Sequence, residues 1–320
     1  MAFRSGFVSI IGRPNAGKST LLNALVGEKL AIVTRKPQTT RNRIQGIVNV
    51  ERQGKRPAGQ IVLVDTPGVH KPINSLNRRM MKEVYDALEG CDLLLLIVDA
   101  SEKYGTGDKF VLDLVKKSGL PAFLLLNKVD QLEKQKLLPV IAHYKDLHNF
   151  KEIIPISALK GEGLASLQDL VVKALPEGPR YFPKHQITDQ PERFLVAEII
   201  REQVLLATEQ EVPYATTVLI DQYEESEKLT RVAATIYCER DGQKAILIGK
   251  QGATLKKIGT AARHEIERLL NTKIFLELFV KVRPGWTDSR QFVDETDWRR
   301  QLEHLADVER NEEPDPDLQD

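Results

Sequence analysis

Short, largely apolar runs recur through the first half of the chain, at residues 7–11, 60–64, 93–98, 122–126 and 153–156. Runs of this length with little polar alternation suit strands buried on both faces, as in a parallel sheet covered by helices. An apolar pattern of helical period follows at residues 164–174. A cluster of breakers, Pro176-Glu177-Gly178-Pro179 with Phe182-Pro183, then ends the region. The pattern predicts an α/β domain with a doubly wound sheet over residues 1–178 and a linker over 179–190. From Pro191 the pattern changes. Phe194, Leu195, Ile199, Ile200, Val204 and Leu205 share one helical face, and strands are expected at 216–223 and 229–238 on either side of a charged turn. A helix over 255–270 and a strand over 274–282 complete a smaller α+β domain, placed at 191–300. Residues 301–320 form an acidic, proline-containing tail with Glu309, Glu312, Glu313, Asp315, Asp317 and Asp320, a composition that predicts disorder.

Between the first strand and the first helix stands Gly12-Arg13-Pro14-Asn15-Ala16-Gly17-Lys18-Ser19-Thr20. This is a P-loop. Its backbone N–H groups meet at a helix N-terminus and cradle phosphate oxygens, Lys18 reaches the β- and γ-phosphates, and the Ser19 hydroxyl suits Mg²⁺. Asn127-Lys128-Val129-Asp130 follows the apolar run 122–126. The Asp130 carboxylate can accept from N1–H and the exocyclic amine of guanine, a donor pair that adenine lacks, so the ligands expected are GTP and GDP. Ser157-Ala158 follows the next strand, where a backbone N–H can meet guanine O6. Each of these segments lies at the C-terminal end of a strand, where doubly wound sheets bind ligands.

The strand at 60–64 ends in Asp65-Thr66-Pro67-Gly68-Val69. Asp65 is expected to hold Mg²⁺ through water, and the Gly68 N–H to meet the γ-phosphate. Gln38-Thr39-Thr40-Arg41-Asn42 lies in a polar stretch where a hydroxyl, Thr40 in preference to Thr39, would complete the metal's shell in the GTP state.

In the second domain, Ile248-Gly249-Lys250-Gln251-Gly252 reads as the Gly-x-x-Gly loop of a type II KH fold, where small residues let the backbone approach single-stranded nucleic acid. Between residues 240 and 283 there are ten Lys or Arg against four Asp or Glu, a local basic excess in a chain whose net charge is only +1. Lys250, Gln251, Lys244, Lys256, Lys257 and Arg263, with the two glycines, are the residues expected to meet RNA. Cys91 and Cys238 have no metal-ligand spacing and read as free thiols. The longest apolar run has six residues, too short to cross a bilayer, and no signal-peptide pattern precedes the P-loop.

These motifs, in this order over residues 7–175, resemble the translation-factor-related class of GTPases, and within it the bacterial subgroup with Gly-x-Pro-Asn-x-Gly-Lys-Ser in the first loop. In that subgroup an apolar residue, here Val69, replaces the glutamine that orients water, which implies slow intrinsic hydrolysis. The resemblance also implies that Asn15 helps to hold K⁺, the alternative being an ordinary turn residue. Joined to a C-terminal KH domain, the chain is similar to bacterial ribosome-assembly GTPases. This likeness implies a monomeric, cytoplasmic switch that binds the 3′ end of 16S ribosomal RNA, acts on the 30S subunit and associates peripherally with the inner face of the cell membrane. A GTPase of tRNA modification or membrane transport, and an RNA-binding protein with a vestigial nucleotide site, are the alternative readings.

Overall fold

Four of the apolar runs of the first half become the inner strands of a six-stranded sheet, and the run 153–156 becomes one of its edges. In a computed structural model describing residues 2–54 and 56–303, the first elements are β1 (Arg4–Ile11), α1 (Lys18–Val26), β2 (Ile44–Val50), β3 (Gly59–Asp65), α2 (Ser75–Leu88), β4 (Leu93–Asp99) and α3 (Thr106–Ser118). They are followed by β5 (Ala122–Asn127), α4 (Lys134–Leu147), β6 (Glu152–Pro155) and α5 (Leu164–Ala174). The sheet order is β2-β3-β1-β4-β5-β6, with β2 antiparallel to β3 and the other pairs parallel. Leu93 to Leu96 are at most 1% exposed, and each such leucine contributes about 2 kcal/mol of burial.

β2 is the element that the apolar pattern does not mark. Gly46 and Asn49 interrupt its alternation, and it grows directly out of the polar stretch around Thr40. Its partner β3 is buried along its full length.

Of the described residues, those up to Pro72 and Met80–Pro191 form one compact unit, and Ile73–Arg79 with those from Glu192 onward form the other. The stretch 179–190, expected as a linker, lies as a strap along β2 within the first unit. Ile47 N donates to Ile187 O (2.8 Å), Thr188 Oγ1 to Gln45 O (2.7 Å) and Asn49 Nδ2 to Lys184 O (3.0 Å). Gln60, fully buried, holds the strap's start. Its Oε1 accepts from Tyr181 N (2.9 Å) and Phe182 N (3.0 Å), and its Nε2 donates to Phe182 O (2.9 Å) and Asn49 Oδ1 (3.0 Å). Gln60→Leu keeps the volume but strips these partners, at about 2 kcal/mol. We expect the Tyr181 and Phe182 amides to exchange roughly thirtyfold faster in that variant. Unchanged exchange would show that the strap is held elsewhere.

The second unit contains α6 (Glu192–Ala207), β7 (Thr217–Glu224), β8 (Thr230–Cys238), α7 (Asp241–Ile248), α8 (Ala253–Leu270), β9 (Ile274–Val282) and α9 (Arg290–Glu295). Its sheet runs β7-β8-β9, with β7 antiparallel and β9 parallel to the central β8. Val196, Ile200 and Val204 of α6 and Ile258, Ala262 and Ile266 of α8 bury their faces with Val232, Ala234 and Ile236 of β8. One ion pair is also inside. Arg201 Nε and Nη2 each donate to Glu198 at 2.7 Å, a two-pronged arrangement that compensates the loss of hydration. The acidic tail, expected to be disordered, lies outside the described residues from position 304 on.

Candidate functional site

The first loop is shaped by a glycine that tolerates no other residue. Gly17 caps α1 at a φ of 103°, a left-handed conformation that disfavours side chains, and a Cβ there would run into Asn127 Nδ2. Behind it Lys18 is 6% exposed, and its ammonium donates to Arg13 O (2.9 Å) and Gly12 O (3.2 Å). Burial pulls its pKa down to about 8, against the opposing pull of Asp65. A group this starved of water gains strongly from an anion brought beside it. The Arg13 side chain turns elsewhere, with Nη1 3.0 Å from Asp108 Oδ2 and 3.3 Å from Glu102 Oε2.

Three oxygen-bearing side chains converge at the start of α1. Ser19 Oγ donates to Asp65 Oδ2 (2.6 Å) and lies 2.9 Å from Thr40 Oγ1, which is itself 3.4 Å from Asp65 Oδ2. Asp65 is fully buried, and burial raises its carboxyl to about 6 even though Lys18 and the hydroxyls oppose the shift. Its second oxygen, Oδ1, is buried without a hydrogen-bond partner. A hard, oxygen-seeking dication fits this set. Thr39 does not join it, because its hydroxyl donates to Lys36 O (2.7 Å) and lies 2.8 Å from Thr34 Oγ1, as part of a turn. Gln38 sits at a φ of 59° in the same turn, whereas Arg41 and Asn42 are buried at 6% and 7% exposure.

At the base end, Asn127 ties two loops together. Its Nδ2 donates to Ala16 O (2.8 Å), and its Oδ1 accepts from Ala158 N (2.9 Å). One buried amide therefore sets the spacing of the phosphate loop from the Ser157-Ala158 loop. Val129 N donates to Ile156 O (3.3 Å), and Ser157 Oγ accepts from Lys160 N (3.2 Å). Lys128, at a φ of 66°, places Nζ 2.5 Å from Asp99 Oδ2, a partner that motif reading missed. Only its place at the C-terminal end of β4 could have marked Asp99. Asp130 is exposed.

The segment after Asp65 is anchored at both ends. Thr66 Oγ1 donates to Ile10 O (2.8 Å), and Val69 N to Gly12 O (3.1 Å). A Cβ on Gly68 would come within 2.9 Å of Pro14, so this glycine and the first loop are close neighbours. Val69 is 2% exposed and packs into the core with Ile11 and Leu96, which removes its side chain from any contact with water. His70, absent from the motif reading, has Nδ1 2.7 Å from Gly68 O, and its Nε2 is buried without a hydrogen-bond partner. Asn15, at a φ of 63°, donates through Nδ2 to Arg35 O (2.9 Å).

In the second unit, α7 ends at Gly249 with φ 72° and ψ 176°, and Gly252 caps α8 at φ 79°. Lys250 and Gln251 stand exposed between them, and Lys256 and Lys257 are exposed on the first turns of α8. Lys244 is half-buried on α7. Arg263 lies two turns further along α8 and is paired with Glu267 (3.0 Å), whose Oε1 also accepts from Ile274 N (3.3 Å). The Arg263 side chain is 37% exposed, and the carboxylate it pairs with is the one that reaches β9. Ile246, on α7 three residues before Gly249, is 50% exposed.

A family model described as 50S ribosome-binding GTPase matches residues 7–128, and a KH domain model matches residues 211–287. The chain is 55% identical over 295 residues to GTPase Era of Geobacter metallireducens, covering 92% of this chain and 97% of the relative. It is 50% identical over 295 residues to GTPase Era of Syntrophus aciditrophicus, covering 92% and 94%. Among solved structures, it is similar to a single-substitution variant of Aquifex aeolicus Era bound to GDP·AlF4⁻ and to Era in complex with MgGDPNP and nucleotides 1506–1542 of 16S ribosomal RNA. Each shows a TM-score of 0.86 and 37% identity, covering 91% of this chain and 98% of the other.

Proposed function

Because the chain belongs to the GTPase Era family, we propose that it is a GTP-hydrolysing switch whose KH unit binds the 3′ end of 16S ribosomal RNA and assists assembly of the 30S subunit. The observation that carries the switch reading is the convergence of the Ser19 and Thr40 hydroxyls on Asp65 Oδ2, with the other carboxylate oxygen, Oδ1, buried and unpartnered. Thr40 belongs to a loop that must move if the γ-phosphate leaves, so the cluster links the loop's position to the nucleotide. Mg²⁺ would be held by the Ser19 and Thr40 hydroxyls, with Asp65 acting through water. Bound there, the ion neutralises charge on the phosphate oxygens. The Lys18 ammonium binds the β- and γ-phosphates, Asp130 and the Ser157-Ala158 segment read guanine, and the Gly68 N–H meets the γ-phosphate.

The strap supports communication between the two functions. Gln45 and Ile47, which carry it, follow the switch residues 38–42 in the chain, and the strap runs on into α6. A slowly hydrolysed GTP analogue is therefore expected to raise affinity for a 16S 3′-end oligonucleotide over GDP, and the RNA to raise affinity for the analogue by the same factor. Filter binding in the two nucleotide states tests the reading. No RNA binding, or equal binding in both states, counts against it.

With Val69 buried and apolar, no side chain of the kind that orients water follows Gly68 directly, and unassisted hydrolysis is expected to be slow. Asn15 is proposed to hold K⁺. Its Nδ2 is engaged by Arg35 O, which leaves Oδ1 as the amide atom for a cation. Turnover should be higher in K⁺ than in Na⁺ at equal ionic strength, and Asn15→Ala should lose the difference. Equal rates in the two salts for the unaltered protein would leave Asn15 a turn residue. The protein is proposed to act as a monomer in the cytoplasm, and both cysteines are free, in keeping with a reducing compartment. Association with the inner membrane face would be peripheral, since no described helix is long and apolar enough to cross a bilayer.

A further inference from the structure

Two cations of the nucleotide site, Arg13 of the phosphate loop and Lys128 of the guanine loop, end on carboxylates of one segment, the stretch that leaves β4 and enters α3. Lys128 Nζ is 2.5 Å from Asp99 Oδ2, and Arg13 Nη1 is 3.0 Å from Asp108 Oδ2. These acids are fixed in turn. Asp99 Oδ1 accepts from Ser101 N (3.0 Å) and Ser101 Oγ (2.6 Å), and Asp108 Oδ2 accepts from Gly105 N (2.9 Å), the amide that precedes α3. The side chains of Asp99 and Asp108 are 11% and 9% exposed, so their pairs are screened far less than a surface contact. Burial works to raise the Asp99 carboxyl, but hydrogen bonds from Lys128 and Ser101 outweigh it and hold the group below the usual carboxylate range. Glu102, also within reach of Arg13, is 58% exposed and adds little. Gly107 crowds the guanidinium from the side, since a Cβ there would come within 2.9 Å of Arg13 Nε.

We propose that this segment is a brace for the nucleotide site: Asp99 and Asp108 are positioning residues that fix Lys128 and Arg13, and with them the spacing of the guanine and phosphate loops. The groups those loops grip, the base and the inner phosphates, are the same in GTP, in GDP and at the moment of cleavage. Interactions of that kind change the lifetime of the complex and leave the chemical step untouched. The brace therefore sets how long the nucleotide stays. It rests on the GTPase reading of the site.

The test is dissociation of fluorescent GDP from the full chain, followed by stopped flow. Asp99→Asn and Asp108→Asn are each expected to release GDP about tenfold faster than the unaltered protein, with kcat at saturating GTP within about twofold. Glu102→Gln should change release by less than about twofold. Arg13→Gln combined with Asp108→Asn should release GDP no faster than Asp108→Asn alone, because the same contact is removed twice. Should Asp108→Asn lose the fold with its bond to the Gly105 N–H, Asp99→Asn, which touches no helix terminus, carries the test. Unchanged release in Asp99→Asn, a matching fall in kcat, or additive effects in the double variant would overturn the brace. Failure of the unaltered protein to retain GDP would overturn the nucleotide reading, and the brace with it.

Discussion

Asp130→Asn is expected to turn a guanine site into a xanthine site. The exposed Asp130 carboxylate follows the left-handed Lys128 at the mouth of the loop, where it can accept from guanine N1–H and from the exocyclic amine. Asparagine replaces one acceptor oxygen with an NH2 group, so one hydrogen bond to a charged acceptor is lost and a donor then faces a donor. Losing a charge-assisted hydrogen bond and burying an unmatched donor costs about 3 kcal/mol, or roughly 100-fold in affinity for GTP. Xanthine carries a carbonyl at C2 that accepts from the new amide, so affinity for XTP should rise as affinity for GTP falls. The unaltered protein should bind GTP and GDP with Mg²⁺ and ATP far more weakly. Titration with labelled GTP, XTP and ATP reads all three, and comparable affinity of the unaltered protein for GTP and ATP would remove Asp130 from base selection.

Gly249→Asp should abolish RNA binding and leave basal GTP hydrolysis nearly intact. At φ 72° the backbone disfavours any side chain, and a Cβ would come within 2.9 Å of Thr254 Cβ and N at the start of α8. The added carboxylate would also face the phosphates that the loop is proposed to receive. Lys250→Ala disturbs neither backbone nor packing, because Lys250 is exposed. It should weaken binding to all sequences alike and flatten the salt dependence by a slope of about 0.7 per lost phosphate contact. Filter binding of a 16S 3′-end oligonucleotide at several salt concentrations separates the two effects. Identical affinity for the unaltered protein and Gly249→Asp would take the KH loop out of the account.

The loops proposed to surround the nucleotide were legible because close approach restricts residue type. A left-handed cap pressed against Asn127 demands glycine at 17, and an amide that must donate to Ala16 O and accept from Ala158 N demands asparagine at 127. The parts that hold those residues in place were not. Asp99 and Asp108 look like any acids near a strand end and a helix start, and only the fold brings them to Lys128 and Arg13. Thr39 and Thr40 are indistinguishable as letters, yet one hydroxyl closes a turn and the other faces Ser19. Basic composition placed Arg263 with the lysines expected to meet RNA, and counting charges cannot see its pair with Glu267. One helix on the first sheet left a weak trace. α4 carries Pro139 within it, and its periodicity is shallow.

The strap also decides where the nucleotide unit can be separated from the rest of the chain. Cut after Gly178, at the breaker cluster, a fragment would lose Ile187 and Thr188 and leave the Ile47 N–H and the Gln45 carbonyl of β2 unpaired along an open sheet edge. Such an edge is a template for another copy's strand, so the shorter fragment would tend to self-associate through β2. Ended after Pro191, the same unit keeps its edge covered and Gln60 satisfied, and its solubility becomes a property of residues 179–191.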